Sequence, residues 1–341
     1  MKGSVFSMMK NLNKRVCFML FSFMLIFALL AACSNHGEKE NKTAQTVKSE
    51  NTIKIGYQKN CPLLILKASG TLEKRLKTLG VKVEWYEFQS GTALLESLNS
   101  GNIDFGRTGD SPPIFAQASG SNLKYVGVGK SKYEGAAILV KKNSTIRSVA
   151  DLKGKKVGFA KGSSSHYFLV KALEKNGLSY KDITPAYLQP GDARVAFEQG
   201  TIDAWVIWDP FTADAEVTGH ARTLVTGKGY TTDRDYFLAT PAYLKKHEKI
   251  VQIVLDEVKK SSTWANEHPA ELTELLSKAL GIDQKAIKIA VDRREYGLDP
   301  FTPEIIEEQQ QIADKFYELK LIPKKVTVKD NIYHFKKDEG K

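Results

Sequence analysis

A strand running into a helix through a few small residues constrains this chain more than any other stretch. Val157-Gly158-Phe159-Ala160 is a short apolar run of strand type, and Tyr167 to Leu173 continues as an amphipathic helix. Between them lie Lys161, Gly162, Ser163, Ser164, Ser165 and His166. A helix that begins straight after such a loop leaves its first backbone N–H groups unpaired. Those donors, the positive end of the helix dipole and the serine hydroxyls together make an anion site. The plainer reading is a serine N-cap on an ordinary helix. No GxxxxGK[ST] pattern is present here, so the loop is not a P-loop.

The same strand–loop–helix unit recurs on either side. Strands are expected over 53–57, 81–88, 103–106 and 123–128, with helices over 62–79, 92–99 and from Pro112 onward between them. That order is βαβαβ, a parallel sheet with crossover helices. A strand over 134–140 leaves this unit. A second unit follows: a short helix over 148–154, the serine stretch with its helix to 175, a strand over 183–188, a helix over 192–199 and a strand over 202–207. A strand over 236–240 comes next, then helices over 249–266, 269–280, 284–294 and 303–320 that should wrap the first unit. The chain thus crosses between two lobes twice. Its 341 residues are enough for two such lobes.

The front of the chain reads differently. Lys2, Lys10, Lys14 and Arg15 precede an apolar run from Val16 to Ala32, which is the pattern of a secretory signal. The segment 33–52 is polar, rich in Lys and Glu, and suits a flexible tether. Of three cysteines, Cys17 lies in the signal and Cys33 directly after it. Only Cys61 remains in the folded part, which excludes an internal disulfide. The formal charge is +11, but no dense Lys/Arg block with interleaved aromatics points to nucleic acid. No Cys/His spacing suits zinc, and no cofactor is implied.

Three loop-to-helix junctions follow the carboxyl ends of expected strands: Tyr57 to Pro62, Thr108 to Pro113 and Lys161 to His166. Open α/β sheets bind ligands at those ends. Helix starts from both lobes could face one anion there, with Gln58, Thr108, Gly109, Ser111, Ser163, Ser164 and Ser165 as donors. A sulfonate, ionised at every physiological pH, suits neutral donors of this kind. Ser111 also reads as an N-cap before Pro112. Tyr57, Phe88, Tyr167, Trp205, Trp208 and Phe211 are candidates to hold an organic tail or to fill the core. Asp209 reads as a cap for the next turn or as a ligand contact. Arg293 and Arg294 end a helix, solvated or turned inward. Catalysis finds no support: His166 shares its helix start with the serines and has no orienting acid. Cys61, at a helix start, is a nucleophile or a small wall residue.

Four segments carry a family resemblance: Ile55 to Lys59, DFGRTGDSPPIFAQASG from Asp104, DLKGKKVGFAKGSSSHYFL from Asp151 and DAWVIWDPF from Asp203. They resemble the aliphatic sulfonate-binding proteins of bacterial ABC importers, across 53 to about 323. The resemblance implies an α/β, two-lobed type II periplasmic-binding-protein fold, with two mixed sheets flanked by helices and joined by two crossover strands. Lobe 1 is expected as 53–139 plus 237–325, lobe 2 as 140–236, and a C-terminal tail as 326–341. It implies a non-enzymatic carrier that grips a small organic sulfonate through Gln58, Thr108, Ser111, the three serines and Trp208, with Gly109 and Asp209 beside them. A cognate permease and ATPase are the implied partners, and a monomer is expected. Leu30-Ala31-Ala32-Cys33 resembles a lipobox, which implies a lipid on Cys33 and a place outside the cytoplasmic membrane. Asn60-Cys61-Pro62 also resembles the sulfinate hydrolases of this fold, with Arg107 near their arginine but no histidine over 72–109. Carriers for taurine, nitrate or a thiamine pyrimidine precursor share the fold.

Overall fold

The computed structural model describes residues 51–59 and 61–336. The expected signal over 1–32, Cys33, the tether up to residue 50, Asn60 and residues 337–341 lie outside the described residues.

The first lobe opens with β1 (Thr52–Tyr57), α1 (Pro62–Ser69), α2 (Thr71–Lys77), β2 (Lys82–Glu87) and α3 (Gly91–Asn99). It continues through β3 (Phe105–Thr108), α4 (Ser111–Ala118) and β4 (Lys124–Ser131). The second lobe holds β5 (Ala136–Lys141), β6 (Lys156–Phe159), α5 (Ser164–Lys175), β7 (Thr184–Tyr187), α6 (Pro190–Gln199), β8 (Ala204–Trp208), α7 (Phe211–Val217) and β9 (Ala221–Thr226). The chain then returns through β10 (Arg234–Ala239), α8 (Pro241–Glu267), α9 (Pro269–Leu280), α10 (Gln284–Asp292), β11 (Leu298–Asp299) and α11 (Pro303–Glu318).

The two sheets have strand orders β11-β4-β10-β3-β1-β2 and β7-β6-β8-β5-β9. β1 runs parallel to β2 and β3, and β6 runs parallel to β7 and β8. Both sheets also take in antiparallel strands, two in the first, where β11 pairs antiparallel with β4, and one in the second. β10 lies between β3 and β4, and β5 lies between β8 and β9. The segments that carry the chain between lobes run side by side: the Lys132 amide donates to the Thr232 carbonyl at 3.1 Å. Sheet geometry puts the carboxyl ends of β1, β3, β6 and β8 at the junction of the two lobes, where the loops into α1, α4, α5 and α7 meet.

Several elements differ from the sequence reading. The helix expected over 62–79 breaks at Gly70, whose φ of 65° is the left-handed conformation that ends helices. β3 starts two residues later than expected, so Arg107 and Thr108 lie within it rather than in the following turn. The strand expected over 134–140 belongs wholly to the second sheet. α7 and β9 were not visible as elements: seven and six residues of mixed polarity give no clear period. The late helices do not all wrap the first lobe. α10 packs on α7 through buried Ala213, Ala286 and Ala290. Beyond 325 the chain still packs on the first lobe, with Val328 and Ile332 buried and Ile332 bridging to Tyr125.

Two apolar cores sandwich each sheet. Ile53, Ile55, Phe105 and Phe237 belong to one, and Val157, Phe159, Phe168 and Val206 to another. Trp205 is 1 % exposed and packs on Phe197, which makes it core. Tyr57 meets Trp85 edge-on and Phe88 packs against the core beneath α4, so neither is a ligand wall.

Gly91, the first residue of α3, allows a close approach. A Cβ there would lie 2.7 Å from Pro112 Cγ and 3.0 Å from Thr108 Cβ. Neither a proline ring nor a strand residue can swing aside. Gly91→Ala should therefore destabilise the protein by about 1–3 kcal/mol through overpacking. Urea unfolding measures this, and an unchanged midpoint would show that α3 and α4 can part freely.

Candidate functional site

A cavity of about 50 Å³ lies between the lobes. Gln58, Lys59, Gly91, Arg107, Gly109 and Pro112 border it from the first lobe; Ser163, Ser164, Ser165, Trp208 and Asp209 border it from the second. Lys132, Gly135 and Asp233 reach it from the connecting segments, and Ala290, Arg293 and Arg294 from the α10 region. All three junctions singled out from the sequence therefore meet at one place. The α3 start, through Gly91, is a fourth that the sequence reading passed over.

The helix starts here differ in their caps: Ser90 accepts the Ala93 amide before α3, whereas the starts of α1, α4 and α5 have no side-chain cap. Thr240, Asp283 and Thr302 stand at helix starts away from the cavity, and each side chain accepts a backbone N–H of its helix. Ser163 and Asp110 occupy the same position before α5 and α4, yet neither makes a cap bond. Ser163 Oγ instead donates to the Ala160 carbonyl at 2.7 Å. Cys61, before α1, makes no cap bond either. Ser and Asp are among the best N-cap residues, so their side chains have been turned elsewhere. The first amides of these helices keep their partial positive charge, roughly half a unit per helix. Ser163 thus stands at the N-cap position of α5 without making the cap bond.

The serines hold different places. Ser164 and Ser165 lie inside the first turn of α5, one and two residues past the N-cap position. A Cβ on Gly109 would run into Ser164 Oγ, so the two lobes approach closely there. Ser165 is 1 % exposed, and its Oγ has no hydrogen-bond partner within the protein. A buried orphan hydroxyl at a cavity wall costs stability unless something from outside uses it. Thr108 and Ser111 do not border the cavity. Thr108 Oγ1 donates to the Gly109 carbonyl at 2.9 Å, and Ser111 Oγ to Asp110 Oδ1 at 2.9 Å. Both are fully buried and shape the α4 loop from behind.

Charge is concentrated beneath the cavity. Asp235 accepts from Arg107 and, at 2.7 Å, from Arg294. Lys132 Nζ lies 2.6 Å from Asp233 and 3.7 Å from Asp235. Arg293 turns the other way, to Glu216 at 2.6 Å and Asp209 at 3.4 Å on the second lobe. The adjacent arginines thus tie to opposite sides of the cleft. Asp209 Oδ1 also accepts from the Ala213 amide at 3.0 Å, which is the capping role expected of it. Burial lowers Lys132 to about 8 and raises Asp209 to about 6. Burial and then the Asp233 charge raise Asp110 to about 6, against hydrogen bonds from Ser164 and Ser111. Lys132, Asp233 and Asp235 had no local signature in the sequence, because their roles arise only where two distant segments run together.

Of the remaining candidates, Trp208 borders the cavity while Phe211 lies beneath Lys59 Nζ at 6.0 Å. Tyr167 packs on Phe316 across the lobes. His166 is buried, accepts from the Gly162 amide at 3.2 Å and faces Tyr180. Cys61 is fully buried in the first lobe's core and does not border the cavity, so it has no access to a substrate there. Among the described residues, no group of three or more His, Cys, Asp or Glu is placed to hold a metal ion.

The family model described as NMT1/THI5 like matches residues 76–272. The crystal structure of the periplasmic aliphatic sulphonate binding protein SsuA from Escherichia coli is similar at 42 % identity and a TM-score of 0.77, over 86 % of this chain and 95 % of that one. The chain belongs to the SsuA-like family of aliphatic sulfonate-binding proteins. A second SsuA-like structure, the alkanesulfonate-binding protein of Xanthomonas axonopodis pv. citri bound to MOPS, matches at 38 % identity and a TM-score of 0.80, over 83 % of this chain and 98 % of that one. A Bacillus subtilis (strain 168) relative, also named for aliphatic sulfonate binding, is 36 % identical over 91 % of this chain and 93 % of its own length. SsuA-like relatives are binding proteins, not enzymes, and this chain shares their two mixed sheets flanked by helices.

The titrating groups around the cavity give a pH signature. As pH rises through 6, Asp110 and Asp209 add negative charge; through 8, Lys132 loses positive charge. Affinity for an anion that does not itself titrate should fall through both windows, by at most about tenfold per pH unit for each group. Calorimetric titration with an alkanesulfonate from pH 5 to 9 would read this. Lys132→Gln should abolish the upper limb, and a flat wild-type profile would contradict the electrostatics described.

Proposed function

We propose that this protein captures aliphatic sulfonates outside the cytoplasmic membrane and delivers them to the permease and ATPase of an ABC importer. The observation that carries this reading is the meeting of three helix starts without a side-chain cap, those of α1 and α4 from the first lobe and α5 from the second, at one small cavity. A sulfonate offers three acceptor oxygens and a charge that pH does not remove. Gln58, the backbone at Gly109, and Ser163, Ser164 and Ser165 supply donors around it, with Trp208 as an apolar wall. Thr108 and Ser111 act from behind, by fixing the α4 loop. Lys132 and Arg107 lend positive potential without being fully released from Asp233 and Asp235. A ligand touching both lobes favours their closed arrangement by its better contacts there, and that arrangement is what an importer can read.

The finer parts of the proposal rest on the sequence. The signal over 1–32 and the lipobox-like Leu30-Ala31-Ala32-Cys33 support a diacylglycerol thioether on Cys33, with 33–52 as the tether. The protein works as a monomer and performs no chemistry. Names given to relatives for sulfonate binding support the ligand class.

Thermal shift against alkanesulfonates, taurine, sulfate and nitrate tests the reading. A sulfonate at a hundred times its Kd should stabilise the protein by about 2.7 kcal/mol. A shift with nitrate and none with any sulfonate would end the sulfonate assignment. Ser165→Ala should separate binding from folding. Its hydroxyl has no partner within the protein, so stability without ligand should hold or rise. Sulfonate affinity should drop by about 1.5–3 kcal/mol, the worth of a hydrogen bond to a charged group. Equal losses of both would show that the hydroxyl serves the fold.

A further inference from the structure

A bound anion is not the only thing that joins the lobes. Phe115 lies on α4 and Phe316 on α11, both of the first lobe; His166 and Tyr167 lie in the first turn of α5, of the second. Their rings meet across the gap. The Phe316 centroid is 5.2 Å from that of His166 and 5.9 Å from that of Tyr167. Phe115 is 6.1 Å from His166, and the two phenylalanines pack edge-on at 4.8 Å. Phe316 and His166 are fully buried and Tyr167 nearly so. Beside the rings, Lys315 Nζ on α11 reaches Glu174 on α5 at 3.1 Å, an ion pair between the same two helices.

The second lobe's two rings are held differently. His166 is seated in its own lobe: it accepts from the Gly162 amide, and its ring lies 4.9 Å from Phe159 and 5.4 Å from Tyr180. Tyr167 packs instead with Ile305, Ile312 and Phe316 in the core of the first lobe, although its backbone belongs to the second. A side chain buried in the opposite lobe is uncovered when the lobes part. Its burial therefore favours the closed arrangement, through apolar area and through ring pairing. None of these four rings borders the cavity. Yet Tyr167 follows two residues after Ser165, and Phe115 is four residues past Ser111 on α4. The seam thus fixes the start of α4 against the start of α5, two of the helix starts without a side-chain cap.

We propose that this aromatic seam is a clasp that holds the lobes closed, with Tyr167 as a positioning residue that sets how long both lobes stay on the ligand without touching it. The clasp acts before ligand arrives. The empty protein is already biased towards closure, and the ligand adds its own contacts to that bias. Release requires the Tyr167 ring to leave the first lobe's core, whereas entry uses the arrangement in which it is already out. Weakening the clasp therefore speeds release and does not slow capture. The clasp does not depend on which anion the cavity holds.

Two measurements on the full-length chain test it. Small-angle scattering without ligand reads the bias. Tyr167→Ala should have a larger radius of gyration than wild type, and Tyr167→Phe, which keeps the ring, should restore the wild-type radius. Equal radii in wild type and Tyr167→Ala would overturn the clasp whatever the ligand. Stopped-flow mixing with ethanesulfonate reads the rates. Tyr167→Ala should speed dissociation about three- to tenfold, the worth of a lost ring pair, with association as fast as before or faster. An affinity loss carried by slower association alone would overturn the clasp, as would Tyr167→Phe releasing as fast as Tyr167→Ala. Glu174→Lys, which sets like charges against each other at the partly exposed edge of the seam, serves where Tyr167→Ala does not fold. It should speed release about twofold at low salt and by less at about 1 M salt; unchanged release would overturn the clasp. A wild-type chain that binds no ethanesulfonate would count against the sulfonate reading alone, and scattering would still decide the clasp.

Discussion

The amides at the start of a helix must find acceptors, and at α4 and α5 the side chains placed to supply them make no cap bond. Ser163 bonds back to Ala160, and Asp110 is held by Ser111. What remains is a set of three helix starts without a side-chain cap, two from the first lobe and one from the second. No single helix start would select an anion, because an isolated one is easily satisfied by water or by its own cap. Convergence is what matters, and convergence depends on the sheets. Each presents the carboxyl ends of its parallel strands to the same gap, and the strand order in each half fixes which loops arrive there.

Holding positive helix ends together has an electrostatic cost, which the connecting segments offset. Asp235 lies on β10, the strand that returns the chain to the first sheet, and binds Arg107 from β3 and Arg294 from beyond α10. Lys132 and Asp233 pair across the two connectors. The buried charges are thus shared between the segments that join the lobes and the floor of the cavity. Such clusters are weak as sources of net stability, but they tolerate few alternative arrangements. Here they bind the position of the lobes to the charge state of the cavity.

Much of this was legible in the chain. The serine loop, the TGDSPP turn and the Gln58 loop each showed a strand, small residues and a helix in order, and the structure brings Gln58, Gly109, Ser163, Ser164 and Ser165 to one cavity. Periodicity found most helices, because α9 and α11 are long and strongly two-faced. It failed where the fold is decided by non-local pairing. β9 is defined by β5, far upstream, and not by its own six residues. Gly70 looked like one more small residue within an apolar helix until its left-handed backbone was seen. Thr108 and Ser111 were expected to donate to ligand as their neighbours do; their hydroxyls are used within the α4 loop. Only the spatial arrangement distinguishes a wall residue from the residue one step behind it.

The alanine contact between α7 and α10 has a consequence for motion. Ala213, Ala286 and Ala290 form one buried cluster of small side chains between these two helices, and Arg293 ties the same edge of the cleft through Glu216. Interlocked surfaces with so little side chain between them resist being pulled apart more than they resist rolling. Separation of the lobes should then follow the path of a book held at its spine.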